Sequence, residues 1–170
     1  MIHPERVQKL NARPLQKGRF VLYWMQASQR AECNHALEYA VRQANEEKLP
    51  LITLFVLTNG FPEANLRHYA FMLEGLQEVK ARLEGRGIHF VALKGTPGKE
   101  AVKVSRQASM VVVDRGYLRI QREWRAYWRS WHLLMPTTCG ARSSRGSTGA
   151  TGTLIPRGCR GCGGIGNAAG

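Results

Sequence analysis

A chain of 170 residues has room for one domain of ordinary size. With 44% apolar and 22% charged residues, its composition is that of a globular protein and excludes an intrinsically disordered one. The 25 Lys and Arg against 12 Asp and Glu give a net charge of +13, a field that attracts polyanions without sequence preference.

Residues 1–17 read as an N-terminal extension. The opening MIHPERVQKLNARPLQKGRF lacks the apolar core of a secretory signal, and no apolar run approaches the ~20 residues of a membrane span. A cytoplasmic monomer without membrane association is expected. RFVLYWM (19–25) predicts a buried strand. Cys33, Ala36, Leu37, Ala40, Val41 and Ala44 then recur at helical spacing, which places Cys33 on an apolar face as a buried, inert thiol. Pro50 introduces a second buried strand, LITLFVL (51–57).

Residues 65–84 predict a helix with Tyr69, Met72, Leu73, Leu76, Val79 and Leu83 inward and Gly85 or Gly87 as its stop. IHFVAL (88–93) is a third strand, GTPG (95–98) a turn, KEAVKVSRQ (99–107) a short helix and SMVVVD (109–114) a fourth strand. LRIQREWRAYWRSW (118–131) is a helix with Ile120, Trp124, Tyr127, Trp128 and Trp131 on one side. Its Arg119, Arg122, Arg125 and Arg129 with the tryptophans also suit a stacking surface for nucleic acid, but packing on a sheet is the favoured role. Strands and helices alternate with short connections. Residues 18–131 are therefore expected to form an α/β domain, an open, mostly parallel Rossmann-like sheet flanked by helices.

Composition breaks near Ser130. All 12 acidic and 21 of the 25 basic residues lie in 1–130, leaving that part at +9; residues 131–170 hold four Arg and 10 of the 18 Gly. With neither apolar period, residues 132–170 are expected to be a disordered Gly/Arg-rich tail. A further strand would be expected after the last helix, and this segment offers no good one. A natural tail and a slipped reading frame both explain the composition, and slippage is preferred. CRGC (159–162), with Cys139 and His132, nominally makes four zinc ligands, but the spacing is irregular and no metal site is expected.

Ligands of open α/β sheets sit beyond the carboxyl ends of the strands. Those ends are Trp24, Met25 and Gln26; Leu57, Thr58 and Asn59; Lys94 and Gly95; and Asp114, Arg115 and Gly116. Asp114 has two roles open to it, gripping a ribose or ring N–H, or capping the following helix. No GxGxxG follows the first strand and no GxxxxGK[ST] occurs. The five histidines show no metal-binding spacing, His35 and His68 read as structural, and no serine sits in GxSxG. No catalytic residue is assigned.

Three segments resemble a known family. VLYWMQASQRAECNHALEYAVRQAN, with Tyr23-Trp24-Met25, Gln29-Arg30 and Asn34 before Ala36-Leu37, is similar to the opening strand and helix of class II cyclobutane pyrimidine dimer photolyases. Arg67, Tyr69, Phe71-Met72-Leu73 and Gly75-Leu76-Gln77-Glu78 resemble the family's second helix, and Asp114, Leu118-Arg119 and Trp124 its fourth strand and following helix. Ser28 and Cys33 stand where many members have Asp. The resemblance runs from about residue 19 to 128 and stops near Ser130. It implies the N-terminal α/β domain of a light-driven DNA repair enzyme, truncated or frame-disrupted after about residue 130. In the family, FAD and the dimer pocket belong to a helical domain, which is read as absent here, so this chain is expected to be inactive alone. The α/β domain holds an antenna chromophore such as a deazaflavin in some members, and Trp24, Met25, Gln26, Thr58 and Asp114 are the candidate cleft. UV-damaged DNA is the partner implied for the full-length family, with only weak, non-specific contact by this chain. A free-standing α/β nucleotide-binding module of the stress-protein type is the alternative. A basic DNA-binding accessory protein is a third reading.

Overall fold

The structure, a computed structural model, describes residue 2 and residues 4–10, 17–132 and 138–141. Six strands form one sheet: β1 (Val7–Lys9), β2 (Phe20–Met25), β3 (Leu51–Leu57), β4 (His89–Lys94), β5 (Ala108–Asp114) and β6 (Thr138–Ala141). Their spatial order is β1-β6-β5-β2-β3-β4. All neighbours are parallel except β1, which runs antiparallel to β6. Helices α1 (His35–Glu47), α2 (Leu66–Glu84), α3 (Pro97–Ser105) and α4 (Arg119–His132) make the crossovers. The expected open, mostly parallel α/β sheet is what the chain forms.

Alternation along β2 divides the core in two. Val21, Tyr23 and Met25 meet Leu37 and Ala40 of α1 and Leu83 of α2; Leu22 and Trp24 meet Val102 of α3 and Trp128 of α4. Both faces are covered, so β2 and β5 are apolar almost without interruption. The Trp24 and Trp128 rings pack tilted at 5.9 Å, a favourable aromatic geometry.

Local chemistry sets the helix ends. The Asn34 side chain accepts the Ala36 and Leu37 N–H groups at the start of α1, and Asn65 and His68 form a capping box on α2. Gly85 caps the end of α2, as expected. No described helix is long and apolar enough to cross a membrane.

Four local expectations are corrected. Cys33 is exposed and precedes the helix at φ 49°, because Asn34, not the apolar period, fixes where α1 starts. Pro97 and Gly98 of the GTPG segment are the first turn of α3, where proline's fixed φ is an advantage. Of the inward residues of α2, Leu76, Val79 and Leu83 are buried, but Leu73 is exposed, as are Leu66 and Phe71. The reason is length: 19 helical residues span about 28 Å, against about 23 Å for the seven of β3, so the first half of α2 overhangs the strand ends. Finally, Thr138–Ala141, in the segment expected to lack order, forms β6 between β5 and β1. Backbone pairing to β5 satisfies amide groups without any apolar period, which is why side-chain pattern could not signal it. CRGC and the rest of the tail lie outside the described residues.

Gly18 runs so close to β5 that a Cβ there would strike the backbone of Ala108 and Ser109. Gly18→Ala should therefore cost about 1–3 kcal/mol or more, measured by urea denaturation; wild-type stability in this variant would contradict the close approach.

Candidate functional site

The chain steps from β2 to β3 and β4 on one side, then crosses back through α3 to β5 on the other. Strand order thus reverses between β2 and β5, the place where such sheets open a crevice. The loop leaving β2 there is held by Asp114. Its carboxylate accepts the N–H groups of Gln26 at 3.2 Å, Ala27 at 2.9 Å and Ser28 at 2.7 Å, and lies 3.5 Å from the Tyr23 hydroxyl. Burial pushes the Asp114 carboxyl above the usual carboxylate range, while the backbone N–H donors and Tyr23 oppose the rise. Burial, then the Asp114 charge, pushes the Tyr23 phenol well above the usual tyrosine range. The Asn34 amide donates to the Tyr23 hydroxyl at 3.0 Å and to the Ser28 carbonyl at 3.1 Å.

Above this clamp lies a cavity of about 410 Å³. Trp24, Met25 and Phe55 come from the strand ends, Thr58 from the loop after β3, and Tyr69 and Met72 from the overhanging half of α2. Arg115, Tyr117, Gln121 and Trp124 close the opposite side. The Tyr69 hydroxyl donates to the Thr58 carbonyl at 2.8 Å, and Phe61 packs on Trp124 at 6.3 Å. Two side-chain N–H groups of lining residues, Trp24 Nε1 and Gln26 Nε2, are buried without a hydrogen-bond partner among the described residues. Unmade hydrogen bonds of this kind cost about 1–3 kcal/mol each.

Of the five candidate residues, Trp24, Met25, Gln26 and Thr58 come together around the cavity. Asp114 does not line it. Its carboxylate is committed to residues 26–28, and α4 starts five residues later at Arg119. Sequence reasoning missed Tyr117 and Gln121, read Tyr69 and Met72 as inward packing residues, and favoured packing on the sheet for Trp124 over a stacking surface. The connection between LITLFVL and the helix, residues 58–65, was the available signal, since it carries α2 past the strand ends. Aromatic rings, two thioethers, amides and one guanidinium suit binding of a planar aromatic molecule. The one lining histidine, His68, uses Nδ1 to accept the Asn65 N–H.

Asp114→Asn should cost about 1–3 kcal/mol, because an amide turns a donor toward three N–H donors. The folded state holds Asp114 above its unfolded pKa, so its own contribution to stability is fullest in acid and declines as pH rises toward the folded value. Asn has no such dependence. The stability gap between wild type and Asp114→Asn should narrow as pH rises above about 4, the ordinary carboxylate value, as read by denaturation at each pH; a widening gap would contradict the buried clamp.

The DNA photolyase family model matches residues 21–140. The deoxyribodipyrimidine photo-lyase of Methanothermobacter thermautotrophicus is 50% identical over 125 residues, 73% of this chain and 28% of that protein. That of Potorous tridactylus is 46% identical over 76 residues, 45% of this chain and 14% of that protein. The crystal structure of a class III photolyase from Agrobacterium tumefaciens shares the fold with a TM-score of 0.61 at 20% identity, covering 75% of this chain and 26% of that one. An archaeal photolyase from Sulfolobus tokodaii, crystallised with two FAD molecules, gives a TM-score of 0.59 at 17% identity, covering 72% of this chain and 28% of that one. The chain thus spans little more than a quarter of the first of these curated relatives. The match reaches residue 140, taking in most of β6 and passing Ser130, where the motif resemblance stops. The chain belongs to the DNA photolyase family, and its described α/β sheet is the family's N-terminal domain.

Proposed function

We propose that this domain holds a light-absorbing antenna chromophore, a deazaflavin or similar planar dye, in the cavity between β2, β3 and the overhang of α2. On this reading residues 18–131 gather light for a class II type photolyase that splits cyclobutane pyrimidine dimers in UV-damaged DNA. The flavin chemistry, supplied by FAD, falls to the helical domain of such proteins, and no residue of this chain is assigned to it. Direct contact with DNA by this chain is weak, non-specific and driven by its positive charge.

The observation that supports this reading best is the lining itself, in which the rings of Trp24, Phe55, Phe61, Tyr69, Tyr117 and Trp124 and the amides of Gln26, Gln29 and Gln121 surround one crevice at the strand ends. A planar dye with ring carbonyl or ring nitrogen acceptors meets both kinds of group, apolar faces for the rings and acceptors for the amides. A free-standing nucleotide module has less in its favour, since the photolyase match covers residues 21–140.

Purified protein supplied with a deazaflavin should show a shifted near-UV or blue absorbance band and quenched tryptophan emission. Tyr117 lines the cavity and is exposed, so Tyr117→Ala removes a stacking ring without opening the core, and dye affinity should fall by about two- to tenfold, the worth of one aromatic contact. Titration of both proteins checks this, and equal affinity in the variant would remove Tyr117 from the site.

A further inference from the structure

Helix α4 carries more aromatic surface than the sheet takes up. Trp128 is fully buried and packs on Trp24, and Trp124 is half-buried. Tyr127 and Trp131 are 38% and 49% exposed, with their rings 6.3 Å apart. Tyr127 rests on Gly98 at the first turn of α3, so close that a Cβ there would meet its ring at 3.0 Å. The two rings, one helical turn apart, form an edge along α4 that core packing leaves open. Arg122 and Arg129, two turns apart and both exposed, run along the opposite edge of the same outer face. Between the edges lie Ala126 and Ser130, small and exposed, with the Ser130 hydroxyl donating back to the Tyr127 carbonyl at 2.7 Å. Among the described residues neither Arg122 nor Arg129 makes a salt bridge. Glu123, the one acidic residue of the helix, is paired with Arg119 at 3.2 Å.

Exposed arginines alone are ordinary solvated surface, and single exposed rings need no explanation. Here a cationic edge, a floor of small residues and a pair of open rings occur side by side. A duplex offers phosphates but keeps its bases stacked inside. A single strand offers phosphates to guanidinium groups and, on its other side, the free face of a base to an aromatic ring. The floor at Ala126 and Ser130 leaves the nucleotide room between the two.

We propose that the outer face of α4 binds single-stranded nucleic acid, with the backbone along Arg122 and Arg129 and bases stacked on Tyr127 and Trp131. The preference is for unpaired bases, whatever their sequence. This rests on the charge-driven contact with nucleic acid proposed above and gives it a place; it does not depend on a dye in the cavity.

The full 170-residue chain is titrated with a short mixed-sequence DNA single strand, with the duplex of the same length, and with heparin, a polyanion without bases. The single strand should bind about tenfold tighter than the duplex, the gain that one or two stacked bases supply. In Trp131→Ala, single-strand affinity should fall about five- to tenfold while heparin affinity holds. In Arg129→Gln both should weaken, and the slope of log affinity against log salt should become shallower by roughly 0.7 for the single strand. The wild-type comparison of single strand with duplex stands whether or not Trp131→Ala folds. Equal affinity for single strand and duplex overturns the stacking face and leaves the charge-driven contact standing, as does unchanged single-strand affinity in Trp131→Ala. Binding of no probe overturns both. A dimer in sedimentation that Trp131→Ala dissociates overturns the proposal in favour of a second copy on this face.

Discussion

The Asp114 carboxylate and the three amide groups that point at it form the joint on which the ligand-facing rim of the sheet is built. Each side would be costly without the other. A carboxylate taken out of water needs donors, and residues 26–28, having left the strand ladder, need an acceptor. Together they fasten the end of β5 to the exit of β2 across the reversal of strand order. Asn34 extends the joint, since its amide reaches Tyr23 and Ser28 while its oxygen caps α1. One side chain thereby sets where a helix begins and how the neighbouring loop lies. Trp24 and Met25, the last residues of β2, are oriented by the same joint.

The cavity follows from a mismatch of element lengths. Helix α2 is longer than the strands it covers, so its first turns have no sheet beneath them and wall a space instead. Trp24 sits at the border between core and space: its ring packs on Trp128, while its indole N–H lacks a partner. Acid–base machinery is not gathered around this space. The lining holds aromatic and amide groups, and its one histidine is engaged in capping. Recognition of a planar molecule is chemistry this set of groups supports, and hydrolysis is not.

The parts legible in the sequence are those where one period dominates. FVLYWM, LITLFVL and SMVVVD lie between two helical layers, so they are apolar almost throughout and the strands stand out. Trp124 and Trp128 repeat at one helical turn, and both turn from solvent. What escaped has other causes. Cys33 fits the apolar period, but the cap at Asn34 overrules it. Leu73 fits the inward period of α2, yet it is exposed where the helix overhangs the strands. Asp114 was placed correctly at a strand end, but its partners are backbone amides 86 to 88 residues earlier, which no local pattern announces. Strand β6 is held by its neighbours' backbones, a bond that leaves little mark on composition. The cavity-facing role of Tyr69 and Met72 depends on helix length relative to strand length, which is readable only once both ends are known.

Strand β4 ends the sheet with its outer row of amide and carbonyl groups unclaimed among the described residues. It is six residues long, in unbroken register with β3, and reads HFVALK, with no proline or bulge and one lysine as deterrent. Such a rim can template the addition of a foreign strand. In a crowded or partly unfolded preparation, growth of ordered aggregates would start here before the core gave way, so concentration as well as temperature governs how long the protein keeps in solution.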